Sequence, residues 1–258
     1  MPTALITGAS AGLGEGFARE LARRGHDLIL TARRAERLHE LAAALRAGHG
    51  VAVHVFASDL AQADAPDRLL ADVAAAGLTV DTLINNAGHG LRGDFAEQDR
   101  AQVVGMIDVN CRSLVALAHG VLPQMLERRS GGILNLASTA AFQPGPWMAV
   151  YYATKAFVLS FSEALHEEVR DRGVRVTALC PGPTRTEFAG RAGMTDMPLF
   201  TALASDADGV VRDGLAALEV GRAVKVSGVV NALMADATRF TPRLLARKVA
   251  GSLQKRRG

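Results

Sequence analysis

The only two tyrosines of the chain stand side by side at 151 and 152, and Lys155 follows four residues after Tyr151. Residues four apart share one face of a helix, so the Tyr151 phenol and the Lys155 ammonium become neighbours if this stretch is helical. A free phenol titrates near ~10 and moves protons poorly at neutral pH. A cation beside it favours the phenolate. Ser138 carries a hydroxyl that can donate to a carbonyl oxygen, and Asn110 can hold a water that links Lys155 to solvent. Taken singly, each has a plainer reading: a tyrosine in a core, a lysine on a wet face, a serine in a turn. Metal chemistry is not expected. His26, His39, His49, His54, His89, His119 and His166 form no His-Glu-x-x-His, and Cys111 and Cys180 form no Cys-x-x-Cys.

A second constellation lies near the start, in Thr7-Gly8-Ala9-Ser10-Ala11-Gly12-Leu13-Gly14. Gly8 lets the chain leave a strand in a tight turn, and Gly12 lets backbone approach a pyrophosphate. Gly14 lets a helix sit close to a sheet, while the free N–H groups at its start, with Ser10 and Leu13 beside them, face the phosphates. The alternative is an ordinary glycine-rich turn. At the end of the next strand a site for NAD usually carries a carboxylate for the ribose 2′-hydroxyl. Here Thr31-Ala32-Arg33-Arg34 offers two guanidinium groups, which suit the 2′-phosphate of NADP, Arg33 before Arg34. Asp59, followed by Leu60, is placed to accept from an adenine amino group. Asn86, Ala87 and Gly88 leave room for a ribose, and Asn86 can tie adjacent loops together.

The elements that position these groups alternate from end to end. Thr3–Thr7, Leu28–Thr31, Val51–Ala57, Thr82–Asn86, Ile133–Ala137, Val174–Cys180 and Ala223–Val226 read as strands, mostly continuous apolar runs of the kind buried on both faces. Helical patterns lie between them, near 13–24, 34–47, 66–76, 99–129, 150–172 and 203–220. Such alternation predicts an α/β chain: one doubly wound parallel sheet of about seven strands, a Rossmann fold with helices on both faces. No repeat, linker or break in composition divides residues 1–258, so a single domain is expected. After the last strand the pattern weakens into a basic segment, 238–258, with Leu244, Leu245, Val249 and Leu253 at helical spacing. Its ordinary reading is a helix docked on its own or a partner subunit. The other is contact with a membrane surface.

The ordered set of Thr-Gly-x-x-x-Gly-x-Gly, Asn-Asn-Ala-Gly, Asn110, Ser138, Tyr151-x-x-x-Lys155 and Pro181-Gly182 resembles the short-chain dehydrogenase/reductase family over residues 3–190. The thirteen-residue step from Ser138 is similar to that family's spacing and selects Tyr151 over Tyr152. The resemblance implies a tetrad of Asn110, Ser138, Tyr151 and Lys155. It also implies that Pro181, Gly182, Thr184 and Thr186 wrap the nicotinamide. The implied reaction is NADP(H)-dependent hydride transfer between a ketone or aldehyde and an alcohol. Tyr151 gives or takes the proton, Ser138 orients the oxygen, and Lys155 lowers the tyrosine pKa and holds the nicotinamide ribose. The alternative is an NADP-binding regulatory or scaffold protein without turnover.

Around the tetrad the sequence is mostly apolar. Phe142, Trp147, Met148, Phe188 and Met194, with His89 after the Asn-Asn-Ala-Gly turn, are the candidates for substrate contact, and 187–203 is the expected substrate lid. Methionine and phenylalanine there predict a hydrophobic small-molecule substrate. Apolar residues form 49% of the chain against 21% charged, so disorder is excluded. A net charge of only +3 and a tail without interleaved aromatics exclude nucleic acid as a partner. Ser130–Thr154 is uncharged but holds two prolines and three glycines, which argues against a membrane helix. Two cysteines and no basic leader point to a reducing, cytoplasmic setting. A homodimer or homotetramer through the helices at 99–129 and 150–172 is the expected assembly.

Overall fold

Five central strands are the continuous apolar runs: β1 (Thr3–Thr7), β2 (Asp27–Thr31), β4 (Thr82–Asn85), β5 (Gly131–Leu136) and β6 (Val174–Cys180). Two three-residue strands, β3 (Val53–Val55) and β7 (Val224–Val226), close the edges. The computed structural model describes residues 1–193 and 204–254. All pairings are parallel, in the order β3-β2-β1-β4-β5-β6-β7. The third strand expected at 51–57 is thus cut to its middle, since only Val53–Val55 pair with β2.

Successive side chains of a strand point to opposite faces, and the two faces are buried by different helices. Ile6, Leu28, Leu30, Ile84 and Leu179 pack against α1 (Gly12–Arg23), α2 (Ala35–His49) and a later helix, Ala207–Glu219. Leu5, Ile29, Leu83, Ile133 and Val176 pack against α3 (Ala65–Ala75) and the helices at Ser113–Glu127 and Ala149–Val169. The chain reaches β3 on one side, then crosses back to place β4 beside β1. Loops at the carboxyl ends of β1 and β4 therefore diverge, and a crevice opens between them.

The helix expected at 99–129 is interrupted. It divides into α4 (Arg100–Ile107), a π-helical turn over Asp108–Arg112, and α5 (Ser113–Glu127). Such one-turn insertions re-aim side chains, and this one carries Asn110. Arg112 pins the turn to the loop before α3 through the carbonyls of Ala61 (2.8 Å) and Ala63 (2.6 Å). Next come α6 (Ala149–Val169) and, after β6, a single turn α7 (Phe188–Arg191), then α8 (Ala207–Glu219), whose N-cap Asp206 accepts from Gly209 N. Most of the expected lid, 187–203, lies outside the described residues.

Beyond β7 the structure corrects the expected single basic helix. Two helices stand there: α9 (Val229–Phe240), begun well before residue 238, and α10 (Arg243–Gln254). Pro242 separates them, holding Thr241 extended at ψ 125° as the residue before a proline prefers.

Candidate active site

The turn after β1 is built for close backbone approach. Gly8 and Gly12 have φ of +66° and +58°, where a side chain is strained. A Cβ on Gly14 would fall 2.3 Å from the Gly8 carbonyl oxygen and 2.5 Å from Asn86 Nδ2, so α1 starts hard against the turn. Thr7 and Asn86 lock β1 to the β4 loop. The Thr7 hydroxyl accepts from the N–H of Asn86 (3.0 Å) and Ala87 (2.9 Å), while Asn86 Nδ2 donates to the Thr7 carbonyl (2.8 Å). Thr7 was not singled out from sequence, where a threonine at a strand end carries no mark. Arg34 is spent on the turn itself, donating to the Ser10 carbonyl (3.0 Å) and ion-pairing with Glu187 (3.4 Å). Arg33 is exposed at the same rim and makes no hydrogen bond or ion pair among the described residues. Asp59 caps its own loop, accepting from Ala61 N at 3.2 Å.

Across the crevice, α6 carries Tyr151 and Lys155, both buried, and Ser138 stands two residues past the end of β5. Ser138 lies within hydrogen-bonding reach of the Tyr151 phenol. Its hydroxyl also accepts from Ala140 N (3.1 Å) at the head of a 3₁₀ turn. Lys155 Nζ donates to the Leu136 carbonyl (2.6 Å) and sits 5.8 Å from the Tyr151 ring centroid. The expected acidification of the phenol by this lysine is not what the chain's own groups produce. Burial pushes Tyr151 up to about 12, offset only in part by Ser138. The same burial pulls Lys155 down to about 8, so its charge is itself costly here.

Asn110 does not face the crevice as a water holder. Its Oδ1 accepts from His89 N (3.0 Å), and its Nδ2 donates to His89 O (3.0 Å) and Thr154 Oγ1 (3.0 Å). It braces the loop over Gly88–His89 against α6. Behind it, Asn85 Nδ2 donates to Asn135 Oδ1 (3.0 Å) and Asn135 Nδ2 to Ser162 Oγ (2.9 Å), a buried polar tie between β4, β5 and α6.

One cavity of about 870 Å³ joins both halves, near the upper end of the ~300–1,000 Å³ usual for ligand sites. Gly8, Ser10, Gly12, Leu13, Arg33, Arg34, Asp59 and Leu60 line it at one end. Asn86, Ala87, Gly88, Pro181, Gly182, Thr184 and Thr186 line its middle, and Ser138, Tyr151 and Lys155 line the far end. Gly14 and Asn110 stand behind the wall. Of the substrate candidates, His89, Met148 and Phe188 line the cavity. Burial lowers the His89 pKa and keeps the imidazole neutral. Phe142 and Trp147 do not line it, which corrects that expectation. Phe142 packs with Leu114 and Val158 beneath β5, and Trp147 stacks on α10, where a Cβ on Gly251 would meet its ring at 3.2 Å. Met194 lies outside the described residues.

The sequence reading missed the last wall. Asn231, Met234, Ala235 and Thr238 of α9 and Gln254 of α10 line the cavity. Their i, i+3, i+4, i+7 spacing was available as a helical signal. Gln254 Nε2 donates to Tyr152 Oη (2.7 Å), while its Oε1 is buried without a partner. The Tyr152 hydroxyl is thereby committed to α10, and Tyr151 is left as the phenol beside Ser138. Gly90 was missed too: a Cβ there would lie 3.1 Å from both Tyr151 Cδ2 and Phe188 Cζ.

A turn of glycines at positive φ at a helix start, a rim cation without a partner among the described residues and a long crevice at the switch point together fit an NAD(P)-type dinucleotide. Comparison with known proteins agrees. Residues 2–196 match the family model described as short chain dehydrogenase. The chain is 42% identical over 186 residues to sulfoacetaldehyde reductase 2 of Chromohalobacter salexigens, covering 71% of this chain and 73% of that one. Among solved structures it is similar to a short-chain dehydrogenase from Sphingobium yanoikuyae in complex with NADPH, at 36% identity, 93% of each chain and a TM-score of 0.84. It is also similar to the bulky-bulky ketone specific alcohol dehydrogenase from Comamonas testosteroni, at 31% identity over 93% of this chain and 92% of that one, with a TM-score of 0.79.

Proposed function

The chain belongs to the short-chain dehydrogenase family, and we propose that it is an NADP(H)-dependent oxidoreductase that interconverts a hydrophobic ketone or aldehyde and its alcohol, with Tyr151 as the general acid and base. The observation that carries this reading is a single cavity with Arg33, which has no partner among the described residues, at one end and a buried phenol, flanked by Ser138 and Lys155, at the other.

A bound nicotinamide would supply hydride to the carbonyl carbon, or accept it from the alcohol carbon. Arg33 and the N–H groups at the start of α1 would hold the phosphates, and Lys155 would hold the nicotinamide ribose. Ser138 donates to the substrate carbonyl oxygen and fixes it against the phenol. With its pKa held near 12, Tyr151 keeps its proton throughout the neutral range and is ready to give it to the oxygen as an alkoxide develops there. Burial of the phenol thus keeps it in the proton-donating form that carbonyl reduction uses. Alcohol oxidation requires the phenolate and gains most from added positive charge beside the ring.

Substrate class follows from the wall at the tyrosine end. Among the described residues it is formed by Met148, Tyr152, Phe188, Met234 and Ala235, with uncharged Gln143 and Gln254. Among the described residues that line this end, Lys155 is the only lysine or arginine, and it is bonded to Leu136. A small anionic aldehyde, as in the name of the Chromohalobacter relative, would find no free cation there. A bulky apolar ketone, as in the name of the Comamonas structure, fits it better. For assembly, half-exposed Val104 and Ile107 on α4 and Phe157 on α6 offer apolar side chains to a second copy, with Asp67 and Arg112 beside them. The buried free thiols of Cys111 and Cys180 suit a reducing, cytoplasmic setting.

The test is to follow loss of reduced-nicotinamide absorbance with a panel of ketones and aldehydes. Turnover with apolar ketones is expected, and Tyr151→Phe should lower it by ~10²–10⁴-fold without weakening NADPH binding. A chain that oxidises NADPH with no carbonyl compound, or a variant that keeps most of its activity, overturns the proposal.

A further inference from the structure

Helix α9 turns a mixed polar and apolar side to the cavity and a more apolar side away from it. Asn231, Met234, Ala235 and Thr238 look into the cavity. On the other side Val229, Leu233, Ala237 and Phe240 recur at i, i+4, i+8 and i+11, and Val229, Leu233 and Phe240 are 78%, 66% and 88% exposed. Helix α10 adds exposed apolar residues of its own. Its Ala246, Ala250 and Gly251 turn inward, Gly251 onto Pro146 and Trp147, while Leu244, Leu245 and Val249 stay half exposed. Eight of the fourteen exposed large hydrophobic side chains among the described residues lie on these two helices. A row of large apolar side chains on a helix normally faces a packing partner, and among the described residues the outer side has none.

The charge on the same two helices decides what would cover it. Asp236 is the last carboxylate of the sequence, and seven cations with no acid follow it. Arg239, Arg243, Arg247 and Lys248 are exposed, and none is ion-paired among the described residues. A second copy seated here about a two-fold axis would set this cationic patch against itself, and like charges across an interface are costly. An anionic lipid surface satisfies both features: the apolar stripe enters the boundary of headgroups and chains, and the cations meet lipid phosphates.

We propose that the outer face of α9 and α10 docks on an anionic lipid bilayer. The docked helix α9 lies between lipid and active site, so the cavity stands only one helix diameter, ~10–12 Å, from the bilayer. An apolar carbonyl substrate dissolved in that bilayer would meet Met234 and Ala235 first.

The experiment is flotation of the full chain with vesicles of phosphatidylcholine alone and of phosphatidylcholine mixed with phosphatidylglycerol. Binding to the mixed vesicles only is expected, and it should weaken at high salt as the Debye length falls from ~10 Å at 0.1 M to ~3 Å at 1 M. Leu233→Asn with Phe240→Asn should lower the bound fraction at least about tenfold. So should replacing Arg239, Arg243, Arg247 and Lys248 by glutamine, at about fivefold per cation lost. NADPH titration of the same variants checks that they fold and measures the enzymatic reading separately. No binding to either vesicle, or equal binding by wild type and Leu233→Asn/Phe240→Asn, overturns the proposal. So does a wild-type dimer that this double variant turns into a monomer, which would seat a second copy on the face.

Discussion

Replacing Lys155 by methionine should flatten the rise in stability that the wild-type chain shows from about pH 7 to about pH 9. The ammonium is 7% exposed, and burial lowers its pKa from 10.5 to about 8. Below pH 8 the folded protein carries a charge that the unfolded chain carries in water, a cost of about 3 kcal/mol at ~1.36 kcal/mol per pKa unit. From pH 8 toward 10.5 the unfolded chain holds more protons than the folded one, so stability climbs with pH. Integrated from about pH 7 to about pH 9, the gain is roughly 1.4 kcal/mol, or about 2–4 °C in Tm for a chain of this size. Methionine leaves the Leu136 carbonyl without its donor, at ~1–3 kcal/mol. That loss does not depend on pH and displaces the whole curve without tilting it. Burial raises the thiols of Cys111 to about 11 and Cys180 to about 12, which favours the folded state less as pH rises, but in both proteins alike. The readout is the difference in Tm between wild type and variant, measured by calorimetry across that range without added nucleotide. Curves that run parallel, or a wild type that gains stability as pH falls relative to the variant, would show that Lys155 is not a buried, costly cation.

Gly14→Ala puts a methyl group 2.3 Å from the Gly8 carbonyl oxygen, so the turn and the Asn86 loop must part. NADPH affinity by fluorescence titration should fall at least about tenfold, with ~1–3 kcal/mol of stability lost to overpacking. Arg33→Ala removes the free cation at the rim. NADPH should bind roughly 10- to 150-fold more weakly, the ~1.5–3 kcal/mol of a charged hydrogen bond, while NADH binds as before; equal losses for both would place the 2′-phosphate elsewhere. Tyr152→Phe frees Gln254 from α6 and should cost ~0.5–1.5 kcal/mol in thermal melts. Its turnover should stay within a few-fold of wild type, and a loss as deep as that of Tyr151→Phe would exchange the roles of the two phenols.

What could be read from sequence divides along a physical line. Continuous apolar runs mark the five central strands because both faces of each are buried, and that is a property of the run itself. Lys155 is legible as a neighbour of Tyr151 because residues four apart share a helix face, whereas the choice of Tyr151 over Tyr152 and its grouping with Ser138 come from the resemblance to the family. The π turn at Asp108–Arg112 is not legible, since a change of hydrogen-bond partner leaves no trace in composition. Phe142 and Trp147 were assigned to the pocket by closeness to Tyr151 along the chain. Their segment instead turns away, Trp147 at φ +62° with its carbonyl bonded to Gly93 N at 2.9 Å. Adjacency likewise showed that Lys155 would be near the phenol but could not show that burial would outweigh it, because desolvation depends on everything packed around the pair. Helix α9 is the instructive miss. Its helical spacing is present in the sequence, with an apolar stripe at 229, 233, 237 and 240. What the spacing does not carry is that the mixed stripe at 231, 234, 235 and 238 lines a cavity, because that depends on where the chain returns after β7.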